Sequence, residues 1–509
     1  MSNFKLYTTA FLCLLFSATL FTACKKDRGV ATPEEVLTPG PDLVFYALTS
    51  DNKLLSFNAK DPANVLATVN ISGIQTGETI IGIDFRPATG QLYGIGTSSR
   101  IYVIDHKTGA ARAMGSAPFG ATLSGTSFGF DFNPAVDRIR LVSATGQNLR
   151  LHPETGALVL EDGAINGVSN ARISSVAYTQ NRAGTATTVL FDIDATTDKL
   201  YKQDPPNNGT LVEVGNLGID VSEAGGFDIN PDGTVALAAL EVAGTSSLFT
   251  IDITTGKASK IGNFSGKITG LAIPTEPVAY ALSSTNELLI FNPTAQTPTL
   301  IAKAITGTQA GETLIGLDMR PVNGQLYALG STSRIYTINA SSGAAAQVGA
   351  GPLSTVVGST SVGFDFNPLA DRIRIVGSNG QNFRINPVDA ALTVDMPISL
   401  GTANITGSAY TNNFAGTATT VLYDIDSRID RLYKQDPPNN GTLVDVGPLG
   451  INVEASNGFD IGSTSGIAYG IFTVGTVQRI YSVNLSTGAA TAAGTITTPV
   501  RGFTLGLGF

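Results

Sequence analysis

The residues best suited to chemistry in this chain occur twice. "GFDFNPAVDRIRLVSATGQN" (Gly129–Asn148) returns as "GFDFNPLADRIRIVGSNGQN" (Gly363–Asn382). In the first copy Arg138 and Arg140 alternate with apolar residues, so on a strand they share one face. Arg150, in "GQNLRLHP", adds a third guanidinium from the next strand, and Gln147 and Asn148 lie in the turn between. The second copy repeats the set as Arg372, Arg374, Arg384, Gln381 and Asn382. Guanidinium groups gathered in this way must meet carboxylates, backbone carbonyls or a bound anion. One outcome is an ion-pair lattice with the nearby Asp131 and Asp137, a common pairing. The other is a cleft for an acidic sugar or another anion, in which all of these residues are the candidate ligand-binding set.

Carboxylates recur as regularly. Asp84, Asp131, Asp228, Asp318, Asp365 and Asp460 each follow a glycine by two positions in an apolar strand. In "GFDFNP", Phe130 and Phe132 face one way and Asp131 the other, toward a neighbouring unit. A catalytic group is needed once per site, so an aspartate in every strong unit is expected to accept backbone N–H bonds. Glu78 and Glu312, in "GETIIG" and "GETLIG", are with these aspartates the candidates for a glycosidase pair. Asp192, Asp194 and Asp198 recur as Asp424, Asp426 and Asp430, a set of oxygen ligands that calcium prefers. Thr197 and Gln203 stand where a helix–loop–helix calcium site needs glycine and glutamate, so no metal is assigned. His106 and His152 correspond to Ala340 and Asn386 and read as exposed turn residues. No nucleophile elbow, phosphate loop or zinc signature occurs; no catalytic residue is assigned and no cofactor is expected. "KQDPPNNG" (Lys202–Gly209 and Lys434–Gly441) reads as a conformationally demanding loop or a contact surface.

The elements that carry these residues are strands. In "IGIDFRPATGQLYGIGTSSRIYVIDHKTGAARAMG" the pattern predicts four strands, "IGIDF", "QLYGIG", "RIYVID" and "AARAMG", separated by turns. In "RIYVID" both faces are apolar, so the sheet must be covered on both sides. Copies of itself stacked around an axis would do that and protect most strand edges. Units of about 45 residues with four strands and glycine turns have the form of a β-propeller blade.

A larger period sits above this one. "YALTSDNKLLSFN" at Tyr46 returns at Tyr280, and "LYKQDPPNNGTLV" at Leu200 returns unchanged at Leu432. The offsets, 280 − 46 = 234 and 432 − 200 = 232, place a two-residue deletion between them. The first unit lacks a first strand, and "VRGFTLGLGF" ends the chain as a first strand with nothing after it. A C-terminal strand that completes the N-terminal unit would close a ring. The expected fold is therefore all-β, two tandem five-bladed propellers over residues 43–273 and 278–509. The alternative is one ten-bladed ring, which the turn-like spacing of "GLAIPTEPVAYAL" would allow.

Composition narrows the classes. Charged residues are 14% and the net charge is −9, without a basic face for nucleic acid. Lys5 precedes an apolar run, Leu6–Ala23, that ends at Cys24. A small residue directly before a cysteine at this place resembles a bacterial lipoprotein processing site, although Phe21 replaces the usual leucine. Residues 1–23 are then a signal peptide, Cys24 is lipidated, and residues 24–42 are a tether. The other cysteine, Cys13, lies inside the apolar run, so the mature chain would hold neither disulfide nor thiolate chemistry.

The pair "GFDFNP…DRIR…GQN" and "LYKQDPPNNGTLV" resembles the bacterial domain of unknown function 4394 family, found in exported proteins, over both copies. The resemblance implies a propeller-like exported lipoprotein and supplies no activity or catalytic residues. The expectation is a lipid-anchored, non-catalytic binding or scaffold protein of the cell envelope, at the outer membrane or cell surface. Its partner would be a glycan or an envelope protein, with membrane contact through the N-terminal lipid alone. The alternative is a carbohydrate-active enzyme using paired carboxylates.

Overall fold

The computed structural model describes residues 37–401 and 403–509; Cys24, the signal segment and most of the tether lie outside the described residues. The described chain is all-β, ten four-stranded antiparallel sheets with two 3-10 turns at Pro206–Asn208 and Pro438–Asn440. The unit read as four strands folds as Ile80–Arg86, Gln91–Gly96, Arg100–Ile104 and Ala111–Met114, paired in that order. Ile101, Tyr102 and Ile104 are buried and Val103 half-buried, so the apolar residues of both faces are covered.

Two sheets are completed from a distance. Gly270–Ala272 supplies the first strand to the N-terminal sheet, pairing with Val44–Leu48. The C-terminal strand, Val500–Leu505, pairs with Ala279–Ser283, which opens the second copy. The sequence suggests that the C-terminal strand completes the N-terminal unit; it completes the corresponding unit of the second copy instead. The segment "GLAIPTEPVAYAL" therefore leaves one sheet and enters another, although its length would suit a hairpin turn.

What covers each sheet is the next sheet. Tyr93, Ile95 and Ile101 of the second sheet share a core with Phe130, Phe132 and Leu141 of the third. Val142 of the third packs with Val176 and Tyr201 of the fourth, and Phe191 and Leu200 of the fourth with Phe227 and Phe249 of the fifth. Leu237 and Leu248 of the fifth pack on Phe45 and Phe57 of the first, and Leu48 of the first on Ile83 and Phe85 of the second. The second copy repeats this order, its last sheet (Ile471, Ile480) packing on its first (Leu289, Phe291). Burial of this kind stabilises by about 25 cal/mol per Å² of apolar surface removed from water.

The first strands of neighbouring sheets approach closely, which is why glycine precedes the strand aspartates. At Gly226 the backbone has φ +140°, and a Cβ there would lie 2.2 Å from the Leu271 amide nitrogen. Gly458 has φ +134° and the same relation to Phe503. Both sit at a register irregularity of their strand, a conformation that glycine adopts at little cost.

The two copies meet in part through main-chain carbonyls. The Gly508 amide donates to the Thr89 carbonyl at 2.7 Å, and the Tyr280 hydroxyl donates to the Ala88 carbonyl at 2.8 Å. Ahead of the first strand, the Thr38 amide donates to the Lys260 carbonyl at 2.7 Å and Asp42 accepts from Asn58 at 2.8 Å.

Candidate functional site

The duplicated arginine stretch and the duplicated "KQDPPNNG" loop form one structure. Arg140 lies on Arg138–Ser143 of the third sheet, with its guanidinium turned toward the fourth. It donates to Asn148 Oδ1 at 2.7 Å, Asp162 Oδ2 at 2.7 Å, Asn207 Oδ1 at 2.8 Å and the Tyr178 hydroxyl at 3.3 Å. Asn148 in turn donates to the Gly163 carbonyl at 2.9 Å and the Pro206 carbonyl at 3.0 Å. Gln203 donates to the same Pro206 carbonyl at 2.6 Å. Asn207 and Pro206 belong to the loop, so the guanidinium and the carboxamide tie it to the neighbouring sheet.

The second copy reproduces the lock: Arg374 donates to Asn382, Asp395 and Asn439 at 2.7 Å each and to the Tyr410 hydroxyl at 3.3 Å. Arg150 and Arg384 chelate the same aspartates, at 2.7 and 2.9 Å for Asp162 and at 2.7 and 2.8 Å for Asp395. Gln147 holds the preceding loop, accepting from the Ser124 amide and donating to the Thr122 carbonyl, both at 2.8 Å. Gln381 does the same with Gly358 and Val356, at 2.8 and 2.9 Å.

The arginines do meet carboxylates, but not the nearby ones. Asp131 pairs with none of them. Asp137 accepts a bidentate pair, 2.8 and 2.5 Å, from Arg86 of the second sheet, and Arg320 holds Asp371 in the same way. Arg86 and Arg320, Asp162 and Asp395, and Asn207 and Asn439 are partners that the motif reading does not single out. The signal for the arginines and asparagines is repetition, in "DFRP"/"DMRP" and in "PPNNG"; the two aspartates lie outside both.

Arg138 stands apart. Its guanidinium donates to the Asp137 carbonyl at 2.8 Å and weakly to that of Val136 at 3.5 Å; Arg372 likewise donates to the Asp371 carbonyl at 2.8 Å. Arg138, Arg150, Val136, Val159, Tyr178 and Asn207 line a cleft of about 400 Å³ between the third and fourth sheets. Beside it, burial and then the charges of Arg138 and Arg86 push the His152 imidazole down to about 4. His152 is half-buried, as is His106, which packs edge-on against Tyr46 at 5.3 Å and Phe85 at 5.9 Å. Neither is the exposed turn histidine that the sequence suggests.

Most of the other acidic candidates are held by nearby amides and hydroxyls. Glu78 accepts from the Ser98 amide at 3.0 Å and from the Ser98 and Tyr102 hydroxyls. Glu312 accepts from the Thr332 amide at 2.7 Å and the Thr332 hydroxyl at 2.6 Å. Asp194 accepts from the Thr196 amide at 2.8 Å and Asp198 from the Val221 amide at 2.8 Å. Asp192 is fully buried, and its oxygens have no donor.

The strand aspartates do converge. One carboxylate oxygen each from Asp84, Asp131 and Asp228 lies within 4.8 Å of the others, and Asp318, Asp365 and Asp460 form the same triad in the second copy. Their donors are the following amide of the same strand, as in Phe85 to Asp84 at 2.7 Å, and amides of the next first strand or just past its end: Phe132 to Asp84 at 2.8 Å, Ile273 to Asp228 at 2.6 Å, Tyr410 to Asp365 at 3.0 Å. Burial pushes Asp228 up to about 7 and Asp460 up to about 6. Burial and then the charges of the other two raise Asp131 and Asp365 well above the usual carboxylate range.

These features define an all-β protein of repeated four-stranded sheets, in which duplicated polar motifs lock sheet to sheet and duplicated carboxylates meet where first strands converge. Its family follows from the sequence: a family model described as "Domain of unknown function (DUF4394)" matches residues 53–272 and 287–504, and the chain belongs to that family. No curated protein matches the chain. Among solved structures it is similar, at 13% identity and a TM-score of 0.26, to the extracellular domain of the one-component system BT4673 from B. thetaiotaomicron. That match covers 88% of this chain, which spans 58% of the length of its relative. PorZ, a surface component of the type-IX secretion system of Porphyromonas gingivalis, matches at 12% identity and a TM-score of 0.26, covering 88% of this chain and 65% of that one. Virginiamycin B lyase from Staphylococcus aureus matches at 12% identity and a TM-score of 0.24, covering 68% and 91%.

Proposed function

We propose that this chain is an exported, lipid-anchored, non-catalytic binding protein of the bacterial cell envelope, built as two tandem five-bladed β-propellers, and that it binds an anionic group. The ring reading is supported by the two distant pairings, Gly270–Ala272 with Val44–Leu48 and Val500–Leu505 with Ala279–Ser283. Each keeps its closing strand within one copy, and the fifth sheet packs on the first. The anchor reading rests on Cys24 at the end of the apolar run.

The observation that carries the binding reading is Arg138. Its guanidinium faces a cleft of about 400 Å³ with main-chain carbonyls as its protein acceptors, while Arg140 and Arg150 beside it are consumed by Asp162. A guanidinium in that state suits a carboxylate or sulfate presented bidentately. The half-exposed Val136 and Val159 supply an apolar wall for the body of a sugar.

The test is calorimetric titration with an oligogalacturonate and, as a neutral control, a malto-oligosaccharide. Binding of the acidic probe alone, weakened about tenfold or more in Arg138→Gln, supports the reading; a lost charge-assisted bond of this type is worth roughly 1.5–3 kcal/mol. Equal affinity in Arg138→Gln, or depolymerisation of the probe, overturns it. For the anchor, labelled palmitate should enter the wild-type chain and not Cys24→Ser; equal labelling would refute lipidation at that residue.

A further inference from the structure

We propose that each copy holds one hard divalent cation, with Ca²⁺ the best fit, at the point where its first strands converge: between Asp84, Asp131 and Asp228, and between Asp318, Asp365 and Asp460. The inference is independent of the binding reading above. A Ca²⁺ ion sits about 2.3–2.6 Å from its oxygen ligands, so two ligands on opposite sides are roughly 4.8 Å apart. The oxygens of each triad fall within 4.8 Å of one another, so one ion can touch all three carboxylates.

A cluster of acids alone would not carry this, because neighbouring amides could account for it. The unpartnered oxygens do. Asp131 is 1% exposed and neither of its carboxylate oxygens has a donor in full hydrogen-bonding geometry, although the Tyr178 amide is near enough to favour its charged form. In the second copy Asp365, also 1% exposed, has Oδ2 without a donor. A buried carboxylate without partners is among the most costly groups a protein can hold, and it is tolerated when paired or metal-bound. The hydrogen-bond donors to the six carboxylates among the described residues are backbone amides and the Thr504 hydroxyl, which reaches Asp318 at 2.8 Å and Asp460 at 3.1 Å. These donors carry no formal charge to set against the three carboxylates; a divalent ion would offset two of the three negative charges.

The arrangement around the sites is also selective. The five first strands of the first copy carry, in chain order, Asp84, Asp131, Ala177, Asp228 and Ala272; those of the second carry Asp318, Asp365, Ala409, Asp460 and Thr504. The three acids recur in the same order, with small residues at the other two places. A small pocket of about 10 Å³, room for about one water, is lined by all five first strands of the second copy, including Gly316, Phe364, Gly407, Gly458 and Gly502. All three side-chain ligands are oxygens, with no imidazole or thiolate, which selects Ca²⁺, Mg²⁺ or Mn²⁺ over zinc or copper.

The test uses the purified protein, stripped with a chelating resin and titrated separately with CaCl₂, MgCl₂ and MnCl₂. Elemental analysis after desalting should find one ion per triad. Thermal unfolding should shift upward with free ion, the folding equilibrium constant rising about 100-fold per site at 100 times Kd. Asp131→Asn and Asp365→Asn should each halve the stoichiometry, and the double variant should abolish it. If a variant fails to fold, the wild-type stoichiometry and melting shift decide. Stripped wild-type protein that takes up none of the three ions overturns the inference, as does a folded double variant that binds as much as wild type.

Discussion

Replacing Arg140 with methionine tests whether the duplicated motifs are one lock. Arg140 is 2% exposed and donates to four side-chain acceptors. The substitution keeps a long apolar stem in place and removes only the guanidinium. Asp162 is not stranded, because Arg150 still chelates it at 2.7 and 2.9 Å. Asn207 is exposed and recovers water. Asn148, fully buried, loses the acceptor role of its oxygen, a penalty of about 1–3 kcal/mol. With partial loss of the Asp162 pair the total should be about 2–4 kcal/mol, below the 3–5 kcal/mol or so of a buried pair broken outright. Arg150→Met, whose side chain is 26% exposed, should cost about 1 kcal/mol, since Arg140 keeps Asp162 neutralised. The double variant strands Asp162, so its cost should exceed the sum of the single ones by about 1–3 kcal/mol. Urea unfolding of the four proteins gives the cycle, and hydrogen exchange gives the location. The Asn208 and Gly209 amides, bonded to Pro205 and Pro206 at 3.0 and 3.3 Å, should exchange faster in Arg140→Met and not in Arg374→Met. Additive costs, or loop amides that exchange alike in both, would refute the lock.

Other consequences are as direct. Burial pushes Asp424 up to about 7 from a usual value of 3.8. Because the folded value is the higher one, the stability it confers is present below pH 3.8 and lost as pH rises through about 7. Asp424→Asn should flatten that decline, by at most about 1.4 kcal/mol per pH unit, in urea midpoints measured across the window. His152 has the opposite sign: its value falls from 6.5 to about 4, so its contribution is present above pH 6.5 and lost as pH falls through about 4. His152→Asn, the residue used by the second copy at Asn386, should keep the turn and remove that acid loss; an unchanged acid limb in the same midpoints would count against it. Gly226→Ala should destabilise by at least about 1–3 kcal/mol from its backbone conformation alone, with more from the Leu271 contact, read as a lowered melting temperature.

The sheets were legible because their signal is local. "IGIDF", "QLYGIG" and "RIYVID" are apolar on both faces and separated by turn residues, and they fold as the strands Ile80–Arg86, Gln91–Gly96 and Arg100–Ile104. Partner choice was not legible, since it is set by which strands meet in space. Asp131 lies nine residues from Arg140 in sequence, yet Arg140 takes Asp162, because Asp131 points toward the converging first strands. Asp162 was hidden for a further reason. Arg150 and Arg384 differ by 234 positions, while their partners Asp162 and Asp395 differ by 233. The extra residue in the first copy is absorbed by a register shift between Arg150 and Leu151, which the corresponding pairing in the second copy lacks. The bulge carries Asp162 back to the place Asp395 occupies without one. Comparing the copies letter by letter sets Glu161 against Asp395 and misses the pair. The geometry was kept and the alignment was not, which is the result expected when the lock, rather than the loop that supplies it, is what stabilises the fold.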